Sequence, residues 1–149
     1  MQARTNFYKN SPKAYEALLA IEKFLNSSAL PKPLLELVKI RSSQINGCGF
    51  CLDMHNRDAK KAGERDERLW GVAAWRESPY FSDQERAALA LTEAMCRIAD
   101  NPNGVPDDVW NDAAGHFDEE TLSVLIMAVA QINTWNRINV TVRQPAPLG

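Results

Sequence analysis

Cys48, Cys51 and His55 stand together in the segment Gly47-Cys48-Gly49-Phe50-Cys51-Leu52-Asp53-Met54-His55. In a helix each residue advances by about 100°, so positions i, i+3 and i+7 share one face. These three residues have that spacing. Cys51 and His55 are four apart, which sets an imidazole beside a sulfur. Cys48 and Cys51 are one turn apart, the separation of a helix-borne disulfide. Asn46-Gly47 is a helix stop, so the pair falls in the first turn of the next helix, where unpaired N–H groups and the helix dipole favour a thiolate. A thiolate is the form that attacks a peroxide or a disulfide. A neighbouring cysteine then converts the sulfenic acid to a disulfide before it oxidises further. Two other readings fit the same residues: small buried hydrophobes beside an unrelated histidine, or a zinc site with Glu36 as fourth ligand. Against these, cysteine is scarce in this chain, CxxC is a redox signature, and helix spacing is not that of a zinc knuckle.

Glu36, eleven residues, Cys48, two residues, Cys51, three residues and His55 form the pattern E-x11-CxxC-x3-H. In this pattern the chain resembles the AhpD-like alkylhydroperoxidases of the carboxymuconolactone decarboxylase superfamily. The likeness extends to Ala62–Leu69, to Glu77–Glu93 around FSDQERAALALTE, and to Ile132–Arg137. It covers roughly residues 12 to 142. The resemblance implies that Cys51 attacks the peroxide, that Cys48 resolves it and faces the reductant, and that His55 and Glu36 relay protons. It implies a cofactor-free and metal-free site, a thiol reductant or redox partner protein, and a homo-trimer or homo-hexamer. Phe50 stands where the better-known, longer members carry a second histidine between the cysteines, which sets this chain apart from their particular protein partners. The decarboxylase branch uses no cysteine pair, so Cys48 and Cys51 argue against lactone decarboxylation. A thiol–disulfide oxidoreductase or a redox-responsive binding module, without peroxide turnover, is the remaining alternative.

The elements that must position these residues read as helices nearly throughout. Ser11-Pro12 opens the first, with Ala14, Leu18, Ile21 and Leu25 as its apolar stripe and Asn26-Ser27-Ser28 as its end. Pro31 and Pro33 open a second that runs to Asn46-Gly47. The third begins near Cys48 and ends at Lys60-Lys61-Ala62-Gly63, and a short fourth covers Glu67 to Trp75. Ser82 to Glu85 is a capping box opening a fifth, with Ala88, Leu91, Met95 and Ile98 as its stripe. After the loop Asp100–Gly104, Pro106 starts a sixth that ends near Gly115. Asp118 caps a seventh, whose stripe Leu122, Leu125, Val129 and Ile132 continues to Val140. The β-branched cluster Ile138–Val142 is taken as its end, and the proline-bearing tail Gln144–Gly149 as loose. The expected fold is an all-α, single-domain helical bundle of the AhpD-like type over residues 1–149, with CxxC at the N-terminus of a helix.

A chain of 149 residues, 45% apolar and 24% charged, suffices for one core without disulfide staples. Its net charge of -2, with no run of like charge, gives no field for nucleic acid or an acidic membrane surface. The longest apolar run, Val124–Ala130, is too short to span a bilayer, and Met1–Asn10 lacks a secretory stretch. The expected address is cytoplasmic, where three cysteines are too few for a disulfide framework. Bland roles are expected for the other notable side chains. His116 sits at a helix end, Cys96 is a packed thiol, and Trp70, Trp75 and Trp110 pack. Trp135 and Arg137 stack or pair in the core or at an interface. Glu85, Arg86 and Glu93 belong to a solvated or interface face.

Overall fold

The computed structural model describes residues 2–147, and its regular elements are all helical. They are α1 (Phe7–Asn10), α2 (Pro12–Asn26), α3 (Lys32–Asn46), α4 (Gly49–Lys61), α5 (Asp66–Gly71), α6 (Asp83–Cys96), α7 (Asp107–His116) and α8 (Glu119–Val142). Short 3-10 turns follow α5 (Val72–Ala74) and α6 (Ile98–Asp100). The last two residues of the expected tail, Leu148 and Gly149, and Met1 at the other end lie outside the described residues.

Helix boundaries follow local chemistry. Ser82 Oγ accepts from Glu85 N–H while the Glu85 carboxylate accepts from Ser82 N–H, the reciprocal cap expected for α6. Asp118 accepts from Thr121 N–H at 2.7 Å and starts α8. Gly47 stops α3 in the left-handed region at φ 67°, a conformation that disfavours any residue with a Cβ.

Helix α3 is the centre of the molecule. It buries Leu34, Leu35, Leu37, Val38 and Ile40 and packs against α4, α6 and α8. Its two sides serve two cores. One gathers Leu25, Leu35, Val38, Leu91, Leu125 and Val129 from α2, α3, α6 and α8. The other gathers Leu37, Ile40, Ala59, Val72, Trp75 and Leu89. A third, small cluster joins Cys48, Cys51 and Ile132, with Phe50 and Trp135 against it.

Some sequence expectations require correction. Of the predicted α2 stripe only Leu25 is buried; Leu18 and Ile21 are half-buried and Ala14 is exposed, because α2 lies at the edge of the bundle rather than across it. Ile98 lies beyond the end of α6 in a 3-10 turn and is exposed, so it is not part of that stripe. Trp75 is buried, but Trp70 and Trp110 project to solvent. The predicted fourth helix stops at Gly71, and α1 had no sequence signal.

Of Glu85, Arg86 and Glu93, expected on a solvated or interface face, Glu93 is buried and the other two are half-buried, all three held in a polar frame within the chain. Glu93 accepts from Arg41 Nε at 2.7 Å, Trp75 Nε1 at 3.0 Å and Arg76, and is 7% exposed. Burial raises its pKa, but the bonds from Arg76, Trp75 and Arg41 outweigh it and hold the carboxyl below its ordinary value. Glu85 is lowered in the same way, burial being overcome by Arg68 and the Ser82 cap. Arg86 donates to the carbonyls of Trp75, Arg76 and Phe81 at 3.1 Å each and ties the α5–α6 connection to α6.

Candidate active site

Gly47 turns the chain so that Cys48 becomes the N-cap of α4, with φ -86° and ψ 92°. The structure joins Cys48 and Cys51 as a disulfide, their Cα atoms 5.4 Å apart. Both are nearly inaccessible, at 2% and 1% exposure. The Cys51 N–H, a free donor of the first helical turn, points at Cys48 Sγ at 3.3 Å. The helix N-terminus therefore serves the first sulfur. The second receives a different donor, the Asn139 side-chain Nδ2 on α8, at 3.4 Å.

His55 follows one turn after Cys51 and is buried. Its Nδ1 lies 2.9 Å from the Glu36 carboxylate on α3. Such a contact fixes the ring and leaves Nε2 as the free nitrogen. The four residues singled out in the sequence thus meet where α3 and α4 pack. Glu36 pairs with the histidine. Among the described residues, no group of three or more His, Cys, Asp and Glu side chains is arranged to hold a metal ion.

Polar anchors on α8 hold the loop between α3 and α4 in place. Asn46 Nδ2 donates to Asn133 and Asn136 at 2.9 Å each, and Asn136 Nδ2 donates to Ser43 Oγ at 3.1 Å. Arg137 donates to Asn133 Oδ1 at 2.8 Å, and Asn133 Nδ2 reaches Cys96 Sγ at 3.3 Å.

Cys51, His55 and Glu36 open into a cavity of about 380 Å3. Its walls are mostly apolar: Tyr15, Leu19, Phe50, Met54, Ile132 and Trp135. A partly buried ion pair, Lys39 Nζ to Glu22 at 2.7 Å, lies in the wall, and Trp135 Nε1 donates to the same carboxylate at 2.9 Å. Cys48 instead lines a separate groove with Gly47, Gly49, Val140, Arg143 and the tail residues that follow. Phe50 and Asn139 line both spaces and form the wall between them.

The N-terminal segment covers the cavity. Arg4 pairs with α8 through its N–H to Val142 O at 2.8 Å and its guanidinium to Thr141 O at 3.1 Å. This sets Tyr8 over the site, with its ring edge-on to Tyr15 at 4.9 Å and its hydroxyl donating to Asn139 Oδ1. Burial and the adjacent Tyr15 raise the Tyr8 pKa against the opposing effect of the Asn139 bond, so the phenol stays protonated as a donor.

Sequence reasoning missed Asn139, Tyr8 and Lys39. A signal existed for the first: Asn133, Asn136 and Asn139 recur every third residue on a helix whose core face is apolar apart from these and Gln131.

The carboxymuconolactone decarboxylase family model matches residues 11–94, which include Glu36, both cysteines and His55. The chain belongs to this family. The uncharacterised protein YdfG of Bacillus subtilis is 39% identical over 140 residues, 94% of each chain. The crystal structure of a protein of unknown function from Agrobacterium tumefaciens, provisionally assigned as the antioxidant defence protein AhpD, matches with a TM-score of 0.94 at 38% identity, covering 99% of this chain and 100% of that one. The debrominase Bmp8 shares the fold at a TM-score of 0.79 and 18% identity, over 93% of this chain and 74% of its own. The AhpD-like architecture of this family therefore surrounds the CxxC pair here.

Proposed function

We propose that the protein is a thiol-dependent peroxidase that reduces organic hydroperoxides through Cys51 and Cys48, with His55 and Glu36 as its proton relay. The observation that carries this reading is the opening of Cys51 and the His55–Glu36 pair into one largely apolar cavity. His55 takes the Cys51 proton. The thiolate attacks the peroxide, the S–O bond forms as the O–O bond breaks, and the alkoxide leaves as an alcohol with the proton from His55. Cys48 then attacks the Cys51 sulfenic acid. The S–S bond forms, the S–O bond breaks, and hydroxide leaves as water with the second thiol proton. Two thiols of an external reductant return the disulfide to the dithiol and become a disulfide themselves.

Glu36 keeps the imidazole oriented and stabilises its cationic form. The apolar walls suit a peroxide with an organic body better than hydrogen peroxide. Need for a thiol reductant suits the reducing cytoplasm. The family resemblance supports a homo-trimer or homo-hexamer as the working state.

The test is consumption of cumene hydroperoxide with dithiothreitol as reductant. Turnover by the wild type and none by Cys51→Ser is the expected result. No consumption, or equal consumption by Cys51→Ser, overturns the proposal.

A further inference from the structure

The two sulfurs of the pair have separate hydrogen-bond donors, and this division has a chemical use. The backbone N–H of Cys51 is committed to Cys48 Sγ. Among the described residues, the donor that reaches Cys51 Sγ is the Asn139 amide. We infer that Asn139 is a further catalytic residue, stabilising the Cys51 thiolate through its side-chain N–H, and that Tyr8 is the positioning residue that orients the amide. The inference rests on Cys51 being the reacting thiol.

The surroundings of Cys51 make such a donor necessary. Cys51 is 1% exposed, and desolvation of its thiol works against the anion. The charges in the cavity do not compensate. Helix α2 contributes Glu22 and the phenol of Tyr15, α3 contributes Glu36 and Lys39, and α1 contributes the Tyr8 phenol. Helix α4 contributes His55 and Asp58, with Cys48 at its N-cap behind Cys51, while α8 brings no titratable side chain to the cavity. Three carboxylates oppose one ammonium, and that ammonium is already paired with Glu22. His55 offsets part of this field only once it has taken a proton. A neutral N–H aimed at the sulfur favours the anion without adding a titrating charge, and a bond to a charged acceptor is stronger than one to the neutral thiol.

An amide serves this purpose in one orientation only, because its oxygen would repel a thiolate. Tyr8 settles the orientation. Its hydroxyl donates to Asn139 Oδ1, which leaves Nδ2 toward Cys51. The chain runs phenol to amide oxygen, then amide N–H to sulfur, and each bond polarises the next. The Tyr8 phenol, its pKa raised by burial, keeps the proton that this direction requires. Asn139 is 4% exposed, so water does not replace either bond cheaply.

The test is the pH dependence of iodoacetamide alkylation of Cys51, followed by mass spectrometry of its peptide in a Cys48→Ser background. There Cys51 titrates without a second thiol, and His55 is common to every variant compared. Asn139→Ala should raise the midpoint by about one pH unit, a tenfold loss of thiolate at neutral pH. Asn139→Asp should raise it further, since a carboxylate then faces the sulfur. Tyr8→Phe should shift it the same way by less, about a twofold loss. Unchanged midpoints in Asn139→Ala and Tyr8→Phe, or an Asn139→Asp midpoint no higher than that of Asn139→Ala, overturn the inference. If the Asn139 variants do not fold, Tyr8→Phe decides alone: a raised midpoint supports the chain and an unchanged one overturns it. Alkylation needs no peroxide. Shifted midpoints without peroxide turnover would therefore retire the peroxidase reading and leave the role of Asn139 standing.

Discussion

Removing the His55 imidazole is expected to slow single-turnover oxidation of Cys51 by about a hundredfold, the usual yield of a positioned acid–base group. The pH profile should also move upward, because the thiolate must then form without a base. Glu36→Gln should move both quantities in the same direction by less. Cys48→Ser should differ in kind, giving one oxidation to a sulfenic acid and no further turnover. Stopped-flow rates across pH measure all three, and a His55→Ala variant with wild-type rate and profile would make the histidine structural. The sequence disclosed these residues unevenly. Cys48, Cys51 and His55 were legible because one helical repeat relates them. Glu36 was legible only through family likeness, since no local periodicity links α3 to α4. Tyr8 left no sequence signal, and the asparagine repeat that contains Asn139 marks a polar stripe on α8 without showing what it touches. Asn139 is 88 residues from Cys51, and Tyr8 is 131 residues from Asn139. Only the packing of α8 and the path of the N-terminal segment bring them to the site.

Among the elements, the junction of α3 and α4 decides the geometry of the pair. Gly47 has φ 67°, and a Cβ built there meets no atom within 4 Å, so a substitution costs backbone strain alone. Gly47→Ala should lower stability by about 1 kcal/mol, measured by urea denaturation. Gly49→Ala, in the helical first turn with equally open space, should show no such loss. An equal loss in both would remove the left-handed turn as the reason for glycine. The helix starts at Ser82 and Asp118 and the stop at Gly47 could be read from sequence because caps are local. The status of Glu93 could not. Its spacing suits an exposed face, and only the convergence of Arg41, Trp75 and Arg76 makes it internal. Glu93→Gln leaves Arg41 without its counter-charge and should cost about 3 kcal/mol at neutral pH.

For the molecule as a whole, Glu93 and Glu85 set the acid limit. Both have folded pKa values below the ordinary 4.5, so the folded state binds fewer protons than the unfolded chain in that range. Their stabilisation is fully present above 4.5 and is lost as pH falls through their lowered folded values. Denaturation at several pH values should show wild-type stability falling in acid and its advantage over Glu93→Gln narrowing there; a constant difference would contradict this. Light scattering at micromolar concentration should find a trimer or hexamer, and a monomer would remove that part of the proposal. The physical motive is the exposure of Phe24, Trp70, Ile98 and Trp110, large apolar groups that the bundle itself leaves uncovered. No described helix is long and apolar enough to cross a membrane.

The wall formed by Phe50 and Asn139 separates the space before Cys51 from the groove before Cys48. For the proposed peroxidase, this would make the two half-reactions a ping-pong cycle with two addresses. An oxidant bound on one side leaves the other side open to the reductant. Double-reciprocal plots should therefore be parallel and remain linear at high concentrations of either reactant. A single shared address would bend them upward, as each reactant came to occupy the other's place.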